Sequence, residues 1–219
     1  GVSTESGIPD FRSTSGLYNQ EWAYPPETIL SHTFWLQNPS EFYRFYRAKM
    51  IIPNAKPNAA HKKLANLEKA GIIKAVITQN IDNLHYLAGS KNVLELHGSV
   101  YRNNCAKCRA FYSVNAILEA NDIPYCKKEG CSGIIKPDVV LYEEPLNNGV
   151  WAAAEEYIKS ADTLIIAGTS LTVYPAASLI YFFSGKNLVL INKSVTNADS
   201  NANLLFNDSV AKVFEKINI

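Results

Sequence analysis

The sequence lacks several features that would assign a protein to a class immediately. No apolar run approaches the roughly 18 residues of a membrane-spanning helix, and no basic stretch followed by an apolar run opens the chain. The 21 basic and 20 acidic residues leave a net charge of +1, so bulk electrostatics gives no reason to expect nucleic acid or an anionic membrane as partner. Internal repeats and low-complexity linkers are also missing. We therefore expect a soluble, cytoplasmic protein.

The apolar segments predict an α/β fold. At 47% hydrophobic residues, the 219-residue chain can bury a substantial core. Residues 72–78, 163–167 and 188–191 have the short, β-branched character of buried parallel strands, and residues 93–96 form a further apolar run. The helix-like stretches are residues 58–70, 151–160 and 175–183. Their alternation indicates a doubly wound parallel sheet, in which ligands bind beyond the carboxyl ends of the strands.

Two stretches interrupt this alternation. Residues 17–56 are rich in Trp, Tyr, Phe and Pro and predict irregular helices, whereas residues 99–137 contain all four cysteines. We interpret both as insertions that together build a smaller lobe over the sheet.

The cysteines form two pairs that are typical of a zinc site. After seventeen intervening residues, the pair Cys105 and Cys108 is followed by Cys126 and Cys131, a separation that suits tetrahedral thiolate coordination. Two disulfides or four inert thiols are the alternatives. All four lie in one polar, turn-rich segment, which favours zinc. With four sulfur ligands the metal would have no open position, so its role would be structural.

Small and polar residues follow three of the predicted strands. They are Gln79, Asn80, Ile81 and Asp82, then Gly168, Thr169 and Ser170, then Asn192 and Lys193. If the strands lie side by side, these groups meet at one edge, where a nucleotide would bind. Taken singly, each exit has an ordinary explanation in turns and helix caps.

Of the four histidines, His97 has the most informative position. It ends the run 93–96 and leads directly into the cysteine segment, which places it at the junction of sheet and smaller lobe. Clefts between lobes are where catalytic bases are often found, although a hydrogen-bonded structural histidine is the alternative. We expect His85 to be structural, and the sequence identifies no partner for His32 or His61.

The motifs in this order resemble the NAD-dependent protein deacylases called sirtuins. The matching segments are GVSTESGIPDFR (1–12), TQNIDNLH (78–85), ELHGS (95–99), the two cysteine pairs, KPDVVLYEEPL (136–146), AGTSLTVYPAA (167–177) and IN (191–192). Several are long, and together they span nearly the whole chain. Family members open with Thr-Gly-Ala-Gly after a first strand, so the resemblance implies that Gly1 is the second of those glycines and that this strand precedes it.

The resemblance implies a domain division and two cofactors. Residues 1–16, 57–98 and 138–219 would form a Rossmann-like NAD-binding domain, and residues 17–56 and 99–137 the smaller lobe with structural zinc. The implied activity is NAD-dependent lysine deacetylation of proteins or peptides, which releases nicotinamide and O-acetyl-ADP-ribose. An NAD hydrolase or mono-ADP-ribosyltransferase is the alternative on the same fold, and a non-catalytic zinc-ribbon module is a second.

The resemblance also implies individual roles. His97 would be the base, and Asn80 would hold water and ribose near the reacting carbon. Asp82 and the Ile81 backbone would bind nicotinamide, Gln79 would bind ribose, and Phe11 would shield the reacting carbon. The other implied cofactor contacts are Gly1, Ser3, Thr4, Asp10, Arg12, Gly168, Thr169, Ser170, Asn192, Lys193 and Ser209.

The implied substrate segment comprises Val139, Val140 and Tyr142. Val140 and Tyr142 would point to one side of an extended strand, and the peptide would add as a strand between this segment and residues 171–173. Glu143 stands where the family usually has Gly, which could favour basic residues in the peptide. No Tyr and Arg pair for acidic acyl groups is evident, so uncharged groups such as acetyl are expected.

Overall fold

The computed structural model describes residues 1–11, 16 and 21–218. Its strands are β1 (Val76–Thr78), β2 (Val93–Glu95), β3 (Gly98–Cys105), β4 (Phe111–Ser113), β5 (Ile135–Val139), β6 (Thr163–Ala167), β7 (Asn187–Ile191) and β8 (Leu204–Phe206). Its α-helices are α1 (Pro26–Ile29), α2 (His32–Gln37), α3 (Pro39–Phe45), α4 (Ala59–Lys69), α5 (Leu84–Ala88), α6 (Asn115–Leu118), α7 (Asn148–Ser160) and α8 (Val210–Glu215). The predicted α/β class is confirmed.

The parallel strands are divided between two sheets. Strand β1 pairs with β2, and β6, β7 and β8 form a second parallel sheet in that order. Helices α4 and α8 pack on the second sheet through a core that includes Leu67, Ile191 and Phe214. The single sheet expected from the sequence is therefore represented by two parallel groups, whose exits nevertheless point into one cavity.

The strand predicted from residue 72 begins four residues later. The amides of Ile72 and Ile73 both donate to the Leu67 carbonyl and so complete the end of α4, with Gly71 at a positive φ of 75°. These amides are unavailable for a sheet, and pairing starts at Val76. Ile72 and Ile73, whose apolar side chains had suggested a strand, thus belong to the C-terminal cap of α4.

Two helix predictions also differ in detail. Helix α7 begins at Asn148 instead of residue 151, because the Asn147 side chain caps the amides of Gly149 and Val150. The helix predicted over 175–183 is a 3₁₀-helix, Ala176–Phe182. The predicted helix over 58–70 matches α4 and its Asn58 cap closely.

The aromatic-rich segment and the cysteine-bearing segment share one core. Strands β3, β4 and β5 form an antiparallel sheet beside the cysteines, and the aromatic helix α3 continues into a π-helix, Tyr46–Met50. Phe42, Tyr43, Phe45 and Tyr46 are each at most 1% exposed. The Tyr43 hydroxyl donates to the Ile135 carbonyl on β5 over 2.7 Å, which joins the helical insertion to the cysteine-bearing sheet.

Candidate functional site

A cavity of about 1980 Å³ collects most residues of the predicted site. Its lining includes Gly1, Ser3, Thr4, Asp10, Phe11, Gln79, Asn80, Ile81, Asp82, His97, Val139, Val140, Tyr142, Gly168, Thr169, Ser170, Asn192 and Lys193. Two predicted residues stand apart. Arg12 lies outside the described residues. Ser209 does not line the cavity, but its hydroxyl donates to Glu5, which lines it.

The surroundings of His97 fix its tautomer. Its Nδ1 lies 3.0 Å from the Gln79 carbonyl oxygen, and because a carbonyl only accepts, Nδ1 carries the proton and donates. Burial lowers the pKa of His97, and the bond to the Gln79 carbonyl offsets part of that effect. The ring is therefore neutral near pH 7, with Nε2 as a proton acceptor.

The backbone around His97 is bonded to the segment that contains Val139, Val140 and Tyr142. The His97 carbonyl accepts the Val140 amide over 3.0 Å. Next to it, Gly98 has a φ of 74°, and a Cβ there would collide with the Asp138 carbonyl oxygen. The glycine that follows His97 is thus required for the close approach of β3 and β5.

A short hydrogen-bond network joins Ser3, Asn80 and Asp82. The Ser3 hydroxyl donates to Asp82 Oδ2 over 2.6 Å, while Asn80 Nδ2 donates to Ser3 Oγ at 2.9 Å and to Asp82 Oδ2 at 3.2 Å. The other oxygen of Asp82 accepts the amide of Leu84 at 2.9 Å. These bonds hold the carboxylate and the amide at fixed positions in the cavity wall.

His61 completes this network, which the sequence interpretation missed. Asn58 and His61 form a capping box at the start of α4, so His61 Nδ1 accepts the Asn58 amide. The proton is then on Nε2, which lies 3.3 Å from Ser3 Oγ and donates to it. Burial, followed by the neighbouring His85, lowers the pKa of His61 to about 4 against the opposing charge of Asp82. The spacing Asn-x-x-His was the signal available in the sequence.

His85 is buried against His61, in agreement with its expected structural role. The two rings lie 4.7 Å apart between centroids, and His85 is 4% exposed. Burial lowers its pKa as well, which keeps the ring neutral. The neutral rings of His61 and His85 therefore lie together near Asp82.

The exits of β1 and β6 meet across the two sheets. Gln79 Nε2 donates to Thr169 Oγ1 at 3.4 Å. Gly168 has a φ of 64°, and a Cβ there would lie 2.6 Å from the Val2 amide nitrogen, so the turn after β6 needs glycine to pass the N-terminal loop. This close backbone contact brings the turn after β6 beside the N-terminal loop, and both line the same cavity.

The remaining exit groups bond mainly within their own loops. Ser170 Oγ lies 2.7 Å from Thr172 Oγ1, and Asn192 Nδ2 donates to the Ser194 carbonyl. Lys193 is exposed.

Burial alternates along residues 139–142, as it does in an extended strand with one buried face. Val139 and Leu141 are buried, whereas Val140 is half-buried and Tyr142 is 39% exposed. Leu171 and Val173 line the same cavity. The two chain segments that the resemblance pairs with a peptide therefore border one opening.

Glu143 is turned onto the start of α2. Its Oε2 accepts the amide of Thr33 at 2.9 Å and the Thr33 hydroxyl at 2.7 Å, and these bonds lower the pKa of Glu143. The backbone there has a φ of 75°, the conformation for which the family's glycine is suited. The Glu143 carboxylate, which we expected to lie in the peptide path, is therefore hydrogen-bonded to Thr33 at the start of α2.

The four cysteines converge as the sequence predicted. Their sulfurs lie within 4.8 Å of one another, with Cys105–Cys131 and Cys108–Cys126 separations of 3.6 Å. Tetrahedral zinc with sulfur ligands at about 2.3 Å requires sulfur separations near 3.8 Å. All four cysteines are free, so the site fits zinc, and disulfides are not formed.

The comparison with known families agrees with this geometry. The Sir2 family matches residues 1–175. The chain belongs to the Sir2 family. A relative from Clostridium perfringens, named NAD-dependent protein deacetylase, is 60% identical over 220 residues, covering 99% of this chain and 89% of that protein. A relative of the same name from Cutibacterium acnes is 47% identical over 219 residues, covering 99% and 88%.

Solved Sir2 structures share the fold. A structure of Sir2 with p53 peptide and NAD⁺ matches with a TM-score of 0.87 at 40% identity, covering 98% of this chain and 87% of that one. A Sir2 structure with deacetylated p53 peptide and 3′-O-acetyl ADP ribose matches with a TM-score of 0.89 at the same identity and coverage.

Within residues 1–11, 16 and 21–218, none of the Sir2-family chain's helices is both long and apolar enough to cross a bilayer.

Proposed function

We propose that this Sir2-family chain is an NAD-dependent protein-lysine deacetylase. The observation that carries the proposal is the fixed tautomer of His97, whose Nδ1 donates to Gln79 and whose Nε2 is left as a base in the cavity that holds Asn80 and Asp82. The name shared by the relatives from several bacteria supports the same activity.

The residues of the cavity fit NAD. The Gly168 backbone, the network of Ser3, Asn80 and Asp82, and the hydroxyls after β6 supply donors and acceptors along one cavity. When bound, NAD supplies an electrophilic ribose carbon that accepts the acyl oxygen and releases nicotinamide.

Asp82 and the Ile81 backbone would hold the carboxamide of nicotinamide, since a carboxylate and a backbone group complement an amide. Asn80 would position the ribose and water, and His97 Nε2 would take a ribose hydroxyl proton without a large pKa shift. Phe11, which is 40% exposed at the cavity, would exclude competing nucleophiles. Gly1, Thr4, Asp10, Thr169, Ser170, Asn192, Lys193 and Ser209 are the further proposed cofactor contacts.

The proposed substrate is an acetyl-lysine in an extended peptide. Val139, Val140 and Tyr142 would line its path, with the peptide backbone pairing between this segment and residues 171–173. Backbone pairing carries little sequence information, so we expect broad peptide specificity. Similar Sir2 structures are bound to an acetylated peptide and to a propionylated peptide, which supports small uncharged acyl groups.

Two organisational proposals accompany this function. The Rossmann-like domain would comprise residues 1–16, 57–98 and 138–219, and the smaller lobe residues 17–56 and 99–137. We also propose a cytoplasmic location, because four neighbouring free thiols suit a reducing compartment.

The decisive experiment measures nicotinamide release from NAD with and without an acetyl-lysine peptide, for the unchanged chain and His97→Ala. We expect release to require the peptide and to fall by about 100-fold or more in the variant, the range of general-base catalysis. Asp122→Asn, on the exposed side of the small lobe, is the control. Release that ignores the peptide would identify an NAD hydrolase, and equal release by both proteins would exclude His97 as the base.

A further inference from the structure

Tyr112 lies between the cysteine cluster and the core of the smaller lobe. It occupies the centre of β4, with its half-buried ring packed against the core that contains Tyr43 and Ile135. Its hydroxyl oxygen lies 3.1 Å from Cys126 Sγ. One side chain therefore contacts both the proposed zinc site and the aromatic core.

The direction of the Tyr112–Cys126 hydrogen bond follows from a third group. The amide of Lys127 donates to the Tyr112 oxygen over 2.8 Å, so this oxygen already acts as an acceptor. A zinc-bound cysteine is a thiolate, which has lone pairs and no proton to give. The tyrosine proton must therefore point at sulfur, which gives an O–H···S bond.

This donor differs in kind from those of Cys105. The Cys105 sulfur accepts the backbone amides of Lys107 and Cys108, both at 3.4 Å. Backbone amides are present whatever side chains the sequence carries, whereas the hydroxyl at Cys126 depends on one residue. A single substitution can therefore remove it while leaving the four zinc ligands in place.

We propose that Tyr112 controls zinc retention and shields the Cys126 thiolate from electrophiles. A hydrogen bond to a coordinating thiolate withdraws charge from sulfur and lowers its nucleophilicity, and it holds the ligand in position before the metal binds. Loss of such an outer partner commonly weakens metal binding by 10–100-fold. Because the ring packs in the small-lobe core, the same residue couples the metal to that core.

The test uses the full chain loaded with zinc, and compares Tyr112→Phe with Tyr125→Phe. The control makes the same chemical change beside Cys126 in sequence, at a ring that is 52% exposed. Zinc affinity is measured by competition with a chromogenic chelator. We expect about 10-fold weaker binding for Tyr112→Phe and less than a twofold change for Tyr125→Phe. Equal affinities for Tyr112→Phe and the unchanged chain would overturn the role in zinc retention.

A site-resolved measurement separates shielding from general loss of structure. The zinc-loaded proteins are treated with N-ethylmaleimide, and the modification of each cysteine is followed by mass spectrometry. We expect Tyr112→Phe to raise the rate at Cys126 several-fold relative to Cys105, Cys108 and Cys131. A uniform rise at all four, or no rise at Cys126, would contradict a specific O–H···S bond. Far-ultraviolet circular dichroism of the zinc-loaded variant checks that its fold is retained.

Discussion

The two halves of the proposed NAD site are built differently. At the inner half, hydrogen bonds join groups from three distant parts of the chain, namely Ser3, the Asn58–His61 cap and Asp82. At the outer half, the hydroxyl pair after β6 and the Asn192 amide bond mainly within their own loops. Preorganised polar groups stabilise a transition state, whereas groups that hold the ground state and the transition state equally contribute to affinity alone. We assign the network to the first kind and the loop groups to the second. The inner half should therefore determine turnover and the outer half affinity.

Asp82→Asn should break the inner half most severely. We expect kcat/KM for peptide deacetylation to fall about 100-fold, equivalent to about 2.7 kcal/mol. Asp122→Asn removes a charge outside the cavity and should change it less than twofold. A variant that retained turnover would show that the carboxylate is not needed for catalysis.

His61→Phe should weaken the same half through Ser3. An aromatic ring is kept, although a larger one, but the bonds to the Asn58 backbone amide and to Ser3 Oγ are lost, so His61 no longer fixes the Ser3 hydroxyl. We expect nicotinamide exchange to fall about 10-fold and the free energy of unfolding to fall by about 1–3 kcal/mol.

A double-mutant cycle checks this assignment. If His61 acts through Ser3, the variant Ser3→Ala with His61→Phe should exchange nicotinamide no more slowly than Ser3→Ala alone. Additive losses would mean that His61 contributes by another path.

The sequence predicted some parts of the fold and of the candidate site better than others. The cysteine spacing and the polar strand exits are local patterns, and the structure brings them together as expected. His61 joins the site only because the start of α4 lies beside Ser3, 58 positions away. Likewise, the contact of Glu143 with Thr33 spans 110 positions. Such contacts require the tertiary fold, which local patterns do not encode.

The pH dependence of stability sharpens the comparison. The pKa of His61 is about 4 in the folded state, below the ordinary 6.5. Between pH 4 and pH 6.5, the His61 ring therefore binds a proton more strongly in the unfolded chain than in the folded one. The contribution of the neutral ring is therefore present above pH 6.5 and is lost as the pH falls toward 4. Between pH 7 and pH 5 we expect His61 to remove about 2 kcal/mol of the free energy of unfolding.

Urea unfolding at both pH values, for the unchanged chain and His61→Phe, isolates this contribution. The variant should lose about 2 kcal/mol less than the unchanged chain over the same interval, since the other titrating groups are common to both proteins. Parallel losses would show that His61 is protonated as easily in the folded state as in the unfolded chain.

Asn192→Ala should have the smallest effect and tests the outer half. The side chain follows β7 and is half-buried, and its Nδ2 donates to the Ser194 carbonyl at 2.8 Å, two residues ahead. Removing one such neutral bond costs about 0.5–1.5 kcal/mol, so we expect the KM for NAD to rise about 2–10-fold. Because no inner group depends on it, kcat should stay within twofold of the unchanged chain. Initial rates over a range of NAD concentrations separate the two constants. A fall in kcat of about 10-fold, as large as the fall in nicotinamide exchange expected for His61→Phe, would show that the two halves act as one preorganised unit, and the division between turnover and affinity would be wrong.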